Sequence, residues 1–340
     1  MRNLLRSSKA AVAGTLPVAL GLGLFGYSSA AHAGCADQTL EVSNDLALEC
    51  LVAPRSPTEK SDPTLREQSM YRSLLSELGA VMAVPVMEPA DSTGWSGFHF
   101  SFDVNATSIS SKNAYWSGYQ QANGTHALAG VRHVSGDWLP VASIMLRKGV
   151  WFLPLPFFPS LEVGIGASNM LQSSIFGLNG YLKFVLHEGY HDIPIPSIAA
   201  RATVTRLAGA PQIDMTLITV EGIMSKAFGA KGTMTFEPYI GGGGMFNIVR
   251  SQVIDTAPTL DLYRGDPSFN TPAGLPNALG QKITFPTQDN IFRWRVFAGL
   301  NLHYAILSIT GYFSYWGTGE DNGYNIANIP GPGDVGATPG

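Results

Sequence analysis

Phe292-Arg293-Trp294-Arg295-Val296-Phe297-Ala298-Gly299-Leu300-Asn301-Leu302 is the stretch on which the fold turns. In an extended chain Phe292, Trp294, Val296, Ala298, Leu300 and Leu302 share one side, opposed by Arg293, Arg295, Gly299 and Asn301. A period of two is the mark of a β-strand, whose successive side chains point to opposite faces. Ala305, Leu307, Ile309, Phe313 and Tyr315 resume the pattern after a tight turn.

Upstream, the same alternation begins at Trp95, with Phe98, Phe100, Phe102, Val104 and Ala106 against His99, Ser101, Asp103 and Asn105. It recurs as Leu161, Val163, Ile165 and Ala167 against Glu162, Gly164, Gly166 and Ser168, and again in Phe176, Leu178, Gly180, Leu182, Phe184 and Leu186. Ile198, Ala200, Ala202 and Val204 oppose Arg201, Thr203 and Thr205; Met234, Phe236 and Ile240 oppose Thr233, Thr235, Glu237 and Tyr239. Weaker candidates lie at 127–134, 141–147 and 213–222. The strong stretches run roughly eight to eleven residues, the length at which a tilted strand crosses a bilayer.

The polar side of these strands is mostly Gly, Ser, Thr and Asn, with an occasional charge. A soluble barrel turns its polar side to water and fills it with Lys and Glu; this set suits an enclosed lumen instead. Charged residues make up 14% of the chain, against roughly 25% in ordinary soluble proteins. After the first 33 residues no run of about 18 apolar residues is available for a spanning helix; the longest candidate, Val150 to Pro159, is short and holds three prolines. A closed barrel remains as the way to satisfy backbone groups in lipid. Phe292, Trp294 and Tyr304, with Tyr312, Tyr315 and Trp316, sit where two interfacial aromatic girdles are expected.

The start of the chain reads as an export signal, residues 1–33: Arg2, Arg6 and Lys9 are positive, Ala10 to Gly26 is apolar, and Ala31-His32-Ala33 fits a signal-peptidase site. The mature chain then begins near Gly34, where two readings of Cys35 compete. In one, Cys35 and Cys50 pair in the oxidising periplasm; in the other, Cys35 is lipidated, although His32 stands where that box wants an aliphatic residue. With 21 basic and 25 acidic residues, three of the basic ones in the leader, the mature chain lacks the basic face that nucleic acid requires.

Residues 34–93 are expected to form a periplasmic N-terminal segment. Pro54, Pro57 and Pro63 interrupt it, and Tyr71, Leu74, Leu75 and Leu78 mark one stripe of a helix near 64–78 that Gly79 should stop. This helix either packs on the periplasmic rim, the preferred placement, or plugs the mouth. Residues 94–317 form the barrel, all-β, an antiparallel up-and-down transmembrane β-barrel of about ten strands (eight to twelve). The polar stretch 251–290 is a long loop and 318–340 a Gly- and Pro-rich tail. Counting strands from a periplasmic N-terminus places that loop on the periplasmic side, although such barrels keep periplasmic turns short, so one crossing is missing or surplus.

Over Trp95 to Trp316 the chain resembles the porin-like outer-membrane β-barrels of Gram-negative bacteria, by architecture rather than by a diagnostic motif. Gly299-Leu300-Asn301-Leu302-His303-Tyr304 looks like the signal by which the barrel assembly machinery recognises a strand, displaced from its usual C-terminal position. The resemblance implies insertion into the outer membrane by that machinery, with outer-membrane lipid as the surroundings.

Three other strings carry possible chemistry. His187-Glu188-Gly189-Tyr190-His191 matches the H-E-x-x-H of zinc proteases, a motif that works because a helix sets both His on one face. Here the preceding residues alternate as a strand, and Gly189, Pro194 and Pro196 oppose a helix, so no metal or other cofactor is expected; a hydrolase using His187 and His191 is kept as an alternative. Arg264-Gly265-Asp266 spells an integrin-binding tripeptide in the long loop, which keeps a surface adhesin as another. Gly241 to Gly244 has no following Lys-Ser or Lys-Thr to make a phosphate loop, and reads as a strand bend or bulge. The expected function is structural or porin-like, non-enzymatic, with passage of a small solute. The lumen-facing candidates are His99, Asp103, Glu162, Arg201, Glu237, Arg293 and Arg295.

Overall fold

A computed structural model describes residues 45–48, 51, 65–95, 97–111, 113–120, 126–128, 131–132, 137–151, 160–171, 173–187, 195–230, 234–255 and 282–317. The expected leader, Cys35 and Cys50, His191, the tripeptide at 264–266 and the tail 318–340 lie outside these residues.

Nine long strands follow one another: β1 (Phe98–Ser108), β2 (Trp138–Trp151), β3 (Ser160–Met170), β4 (Phe176–His187), β5 (Ser197–Ala208), β6 (Ile213–Ser225), β7 (Met234–Ser251), β8 (Gln288–Tyr304) and β9 (Leu307–Trp316). Each pairs antiparallel with the next, so spatial order equals chain order, and Phe228–Ala230 adds a short hairpin against β7. The odd-numbered strands all begin at one rim, the lower, and end at the other, the upper. The sheet curls into a half-barrel that is open between β1 and β9, which have no partner strand on their free edges among the described residues.

The period of two survives folding. Phe100 (63% exposed), Ile165 (68%) and Phe313 (73%) are on the convex face. Ser101, Glu162 and Tyr312, of the opposite parity on the same strands, are on the concave one, partly or fully buried. Trp294, Tyr304 and Tyr315 also point outward, but Tyr312 and Trp316 take the other parity and face inward, so they drop out of the expected girdles.

What fills the concave face departs from expectation. Helix α1 (Leu65–Met82) does not stop at Gly79 and does not lie on a rim outside the barrel; it lies within the curl. Tyr71, Leu74, Leu75 and Leu78 are fully buried, as their shared stripe requires. Gly79 is a point of close approach: a Cβ there would fall 2.2 Å from Asn247 Nδ2, while that amide donates to Leu75 O at 3.1 Å. The upper rim caps the helix. Tyr71 stacks on Phe285 at 4.3 Å, Arg72 Nη1 donates to Gln288 Oε1 at 2.8 Å, and Glu77 accepts from Tyr115 Oη at 2.8 Å and Trp116 Nε1 at 2.7 Å. Burial, and then the adjacent Glu77 carboxylate, push the Tyr115 phenol well above its ordinary range, so it stays a proton donor.

After α1 the chain continues through the lumen as an extended segment. It reaches the lower rim where Thr93 N donates to Glu162 Oε2 at 2.9 Å and Gly149 N to Gly97 O at 3.1 Å, and then turns into β1. Strand counting had one crossing in surplus: 127–134 gives only the short pair His126–Leu128 and Val131–Arg132, off the main sheet. The buried passage puts the start of α1 and the 251–290 connection at the same rim. That connection is also shortened by structure: Ile254–Asp255 pairs with Lys282–Ile283, and β8 begins at Gln288.

Among the described residues, the expected closed barrel of about ten strands is thus corrected to an open sheet of nine long strands. The physical reason is its content: a closed barrel of about eight strands has room only for side chains, whereas a helix with its side chains needs about 10–12 Å. The four glycines of β7 are no bulge either. Gly241↔Phe297 through Gly244↔Trp294 keep unbroken register with β8, and Gly241↔Ile223 through Gly244↔Val220 do so with β6. A Cβ on Gly241 would meet Phe297 at 2.4 Å and one on Gly243 would meet Glu221 Cα at 2.6 Å, so bare backbone there lets neighbouring side chains lie across β7.

Candidate functional site

Alternation delivers charged side chains to the concave face at one level, and the extended segment delivers another to meet them. Glu88, on that segment, contacts Arg147 of β2, Lys183 Nζ of β4 at 3.4 Å and Arg201 Nη1 of β5 at 3.5 Å. Glu162 of β3 lies 3.8 Å from Lys183 and 4.0 Å from Arg147, and accepts from Tyr181 Oη at 3.2 Å. Glu221 of β6 accepts from Arg201 Nε at 2.9 Å and pairs with Arg295 of β8. All seven side chains are buried. Buried ions repay their desolvation only when paired and hydrogen-bonded; here each one is shared between the segment and the wall or between strands of the wall, Glu221 and Arg295 meeting across β7.

The segment's own backbone completes the set. Arg201 Nη2 donates to Val84 O and its Nη1 to Pro85 O, both at 3.0 Å. Arg295 Nη1 reaches Val84 O at 3.3 Å, Tyr239 Oη donates to Val86 O at 2.6 Å, and Lys183 Nζ donates to Asp91 O at 2.8 Å. An extended run with Pro85 and Pro89 cannot satisfy its own carbonyls, so the wall does so.

All seven expected lumen residues are on the concave side. Glu162, Arg201 and Arg295 belong to the network, and His99 joins it through Nδ1, 2.8 Å from Arg147 Nη2. Asp103 accepts from Ser101 Oγ at 3.1 Å and borders a gap of about 20 Å³ shared with Glu88, Arg147 and Arg201. Glu237 stands apart near the lower rim, accepting from Ser225 Oγ at 2.7 Å. Arg293 stands nearer the upper rim, donating to Gly317 O at 3.0 Å and to Ser76 O of α1 at 3.4 Å.

Arg147, Lys183, Glu221 and Glu88 complete the network without having been singled out from sequence. Parity alone could have found three of them: Lys183 sits opposite Leu182 and Phe184, Arg147 ends the weak stretch 141–147, and Glu221 lies in 213–222. Glu88 offered no signal, because Ala83 to Asp91 has no period. His187 is the last residue of β4, buried on the concave side; it ends a strand where the zinc motif needs a helix. Comparison with protein-family models, with curated proteins and with solved structures finds nothing that matches this chain.

Proposed function

We propose that this chain is an outer-membrane β-barrel protein of structural or porin-like kind, not an enzyme, whose lumen is filled by its own α1 and the extended segment after it. The observation that carries this reading is the convex face. From Leu178 to Leu186 every outward residue of β4 is apolar or Gly, a span of about 26 Å along the strand at roughly 3.3 Å per residue. The outward charges lie at the rims: Lys148 at the lower, Arg206 paired with Asp214, and Arg250, at the upper. An apolar face this wide is what lipid covers and water does not.

A bare sheet edge cannot face hydrocarbon, so in a membrane the free edges of β1 and β9 are covered rather than exposed to lipid. With the segment in place the polar interior is sealed, so passage of small solutes requires its displacement.

The reading is tested by fractionating cells, floating the purified protein with phospholipid vesicles, and comparing gel migration of boiled and unboiled samples. Recovery in the outer membrane, flotation and heat-modifiable migration are expected; a protein that stays soluble and monomeric without detergent defeats it.

A further inference from the structure

We propose that Arg147, Lys183 and Arg201 form an oxyanion-binding site of the wall in which Glu88 stands in for the ligand, so that the solutes handled here carry a carboxylate or phosphate. The assignment of a solute rests on the membrane reading above; the site itself does not. Three buried cations from three strands converge on one carboxylate, and that carboxylate belongs to the threaded segment, not to the wall. At this level Arg147, Lys183, Arg201 and Arg295 face Asp103, Glu162, Glu221 and Glu88, and Asp91 of the segment also acts on Lys183.

Without Glu88 these three wall cations lose the carboxylate they share, in surroundings where an unpaired charge is costly. Guanidinium forks match carboxylate and phosphate oxygens alike. Arg147 Nε is buried with no acceptor among the described residues, a donor left over after Glu88 is served. The gap of about 20 Å³ beside Glu88 is large enough for one water.

Two measurements on the full mature chain test this. In detergent, Glu88→Ala unfolds at a lower temperature than wild type; acetate or inorganic phosphate, at ionic strength matched with potassium chloride, raises that temperature by several degrees and leaves wild type unchanged. Adding Lys183→Met reduces the gain several-fold. Response to acetate alone assigns a carboxylate, to phosphate alone a phosphate, and to both a general oxyanion. A folded Glu88→Ala protein that gains nothing over chloride overturns the site. Should the variant not fold, it is refolded with either anion: recovery supports the site, and failure with both overturns it. In vesicles, Glu88→Ala passes acetate several-fold faster than wild type, with no matching gain for potassium; a floated protein without that selective gain overturns the solute assignment. Protein that does not float removes the membrane reading instead, while the detergent result still reads the site.

Discussion

Arg201 ties the wall to the segment at several points, because it touches Glu88, Glu221 and the carbonyls of Val84 and Pro85 at once. Arg201→Met is expected to cost about 3–5 kcal/mol, the usual penalty for stranding a buried carboxylate, measured by denaturant unfolding in detergent. Arg201→Met with Glu221→Gln should cost less than the two single changes added, with a coupling of roughly 0.5–3 kcal/mol; strict additivity would disprove the pairing. Gly79 makes a second test. Its missing Cβ is the space Asn247 uses, so Gly79→Ala should destabilise by about 1–3 kcal/mol through overpacking. Of these residues Arg201 was legible from sequence, since it sits out of phase with a greasy face; Gly79 read as a helix stop, because a glycine that ends a helix and one that lets a sheet approach look alike in one dimension.

The strands make the contrast between faces directly testable. Leu182 is half-exposed in the middle of the convex face of β4. Leu182→Arg should cost about 2–4 kcal/mol if that face meets the bilayer midplane, measured by urea unfolding from vesicles. The same change at Trp138, outward at the upper rim, should cost about 0–1 kcal/mol; equal costs at the two places would argue against a membrane around the sheet. Eight of the nine long strands overlap stretches whose alternation was readable, strongly or weakly, and β9 follows from the resumed pattern after β8. The tight turn between them is made at Ala305, whose φ is +54°, and Ile306 at its tip. Helix α1 was legible as a stripe, and its place inside the curl only as the less favoured alternative of a plug, since four apolar residues on one face require a partner without naming it.

For the molecule as a whole, the buried crossing through the lumen sets which connections share a side. Ile306 is wholly exposed at the lower rim and Val253 is exposed at the upper. With Cys35 and Cys50 replaced by Ser, Ile306→Cys and Val253→Cys variants labelled on intact cells with a membrane-impermeant maleimide should react one without the other. Reaction of both would mean that the sheet does not separate two compartments. The sequence by itself determined the strand-forming stretches, the greasy and polar faces and the lumen candidates, because side-chain parity in an extended chain is a local property. Only the tertiary structure decided that the sheet stays open, that α1 and an aperiodic segment occupy its interior, and that Glu88 meets Arg147, Lys183 and Arg201. Those are questions of what fills a curved surface and which distant charges must neutralise one another, and no short window of sequence contains both partners.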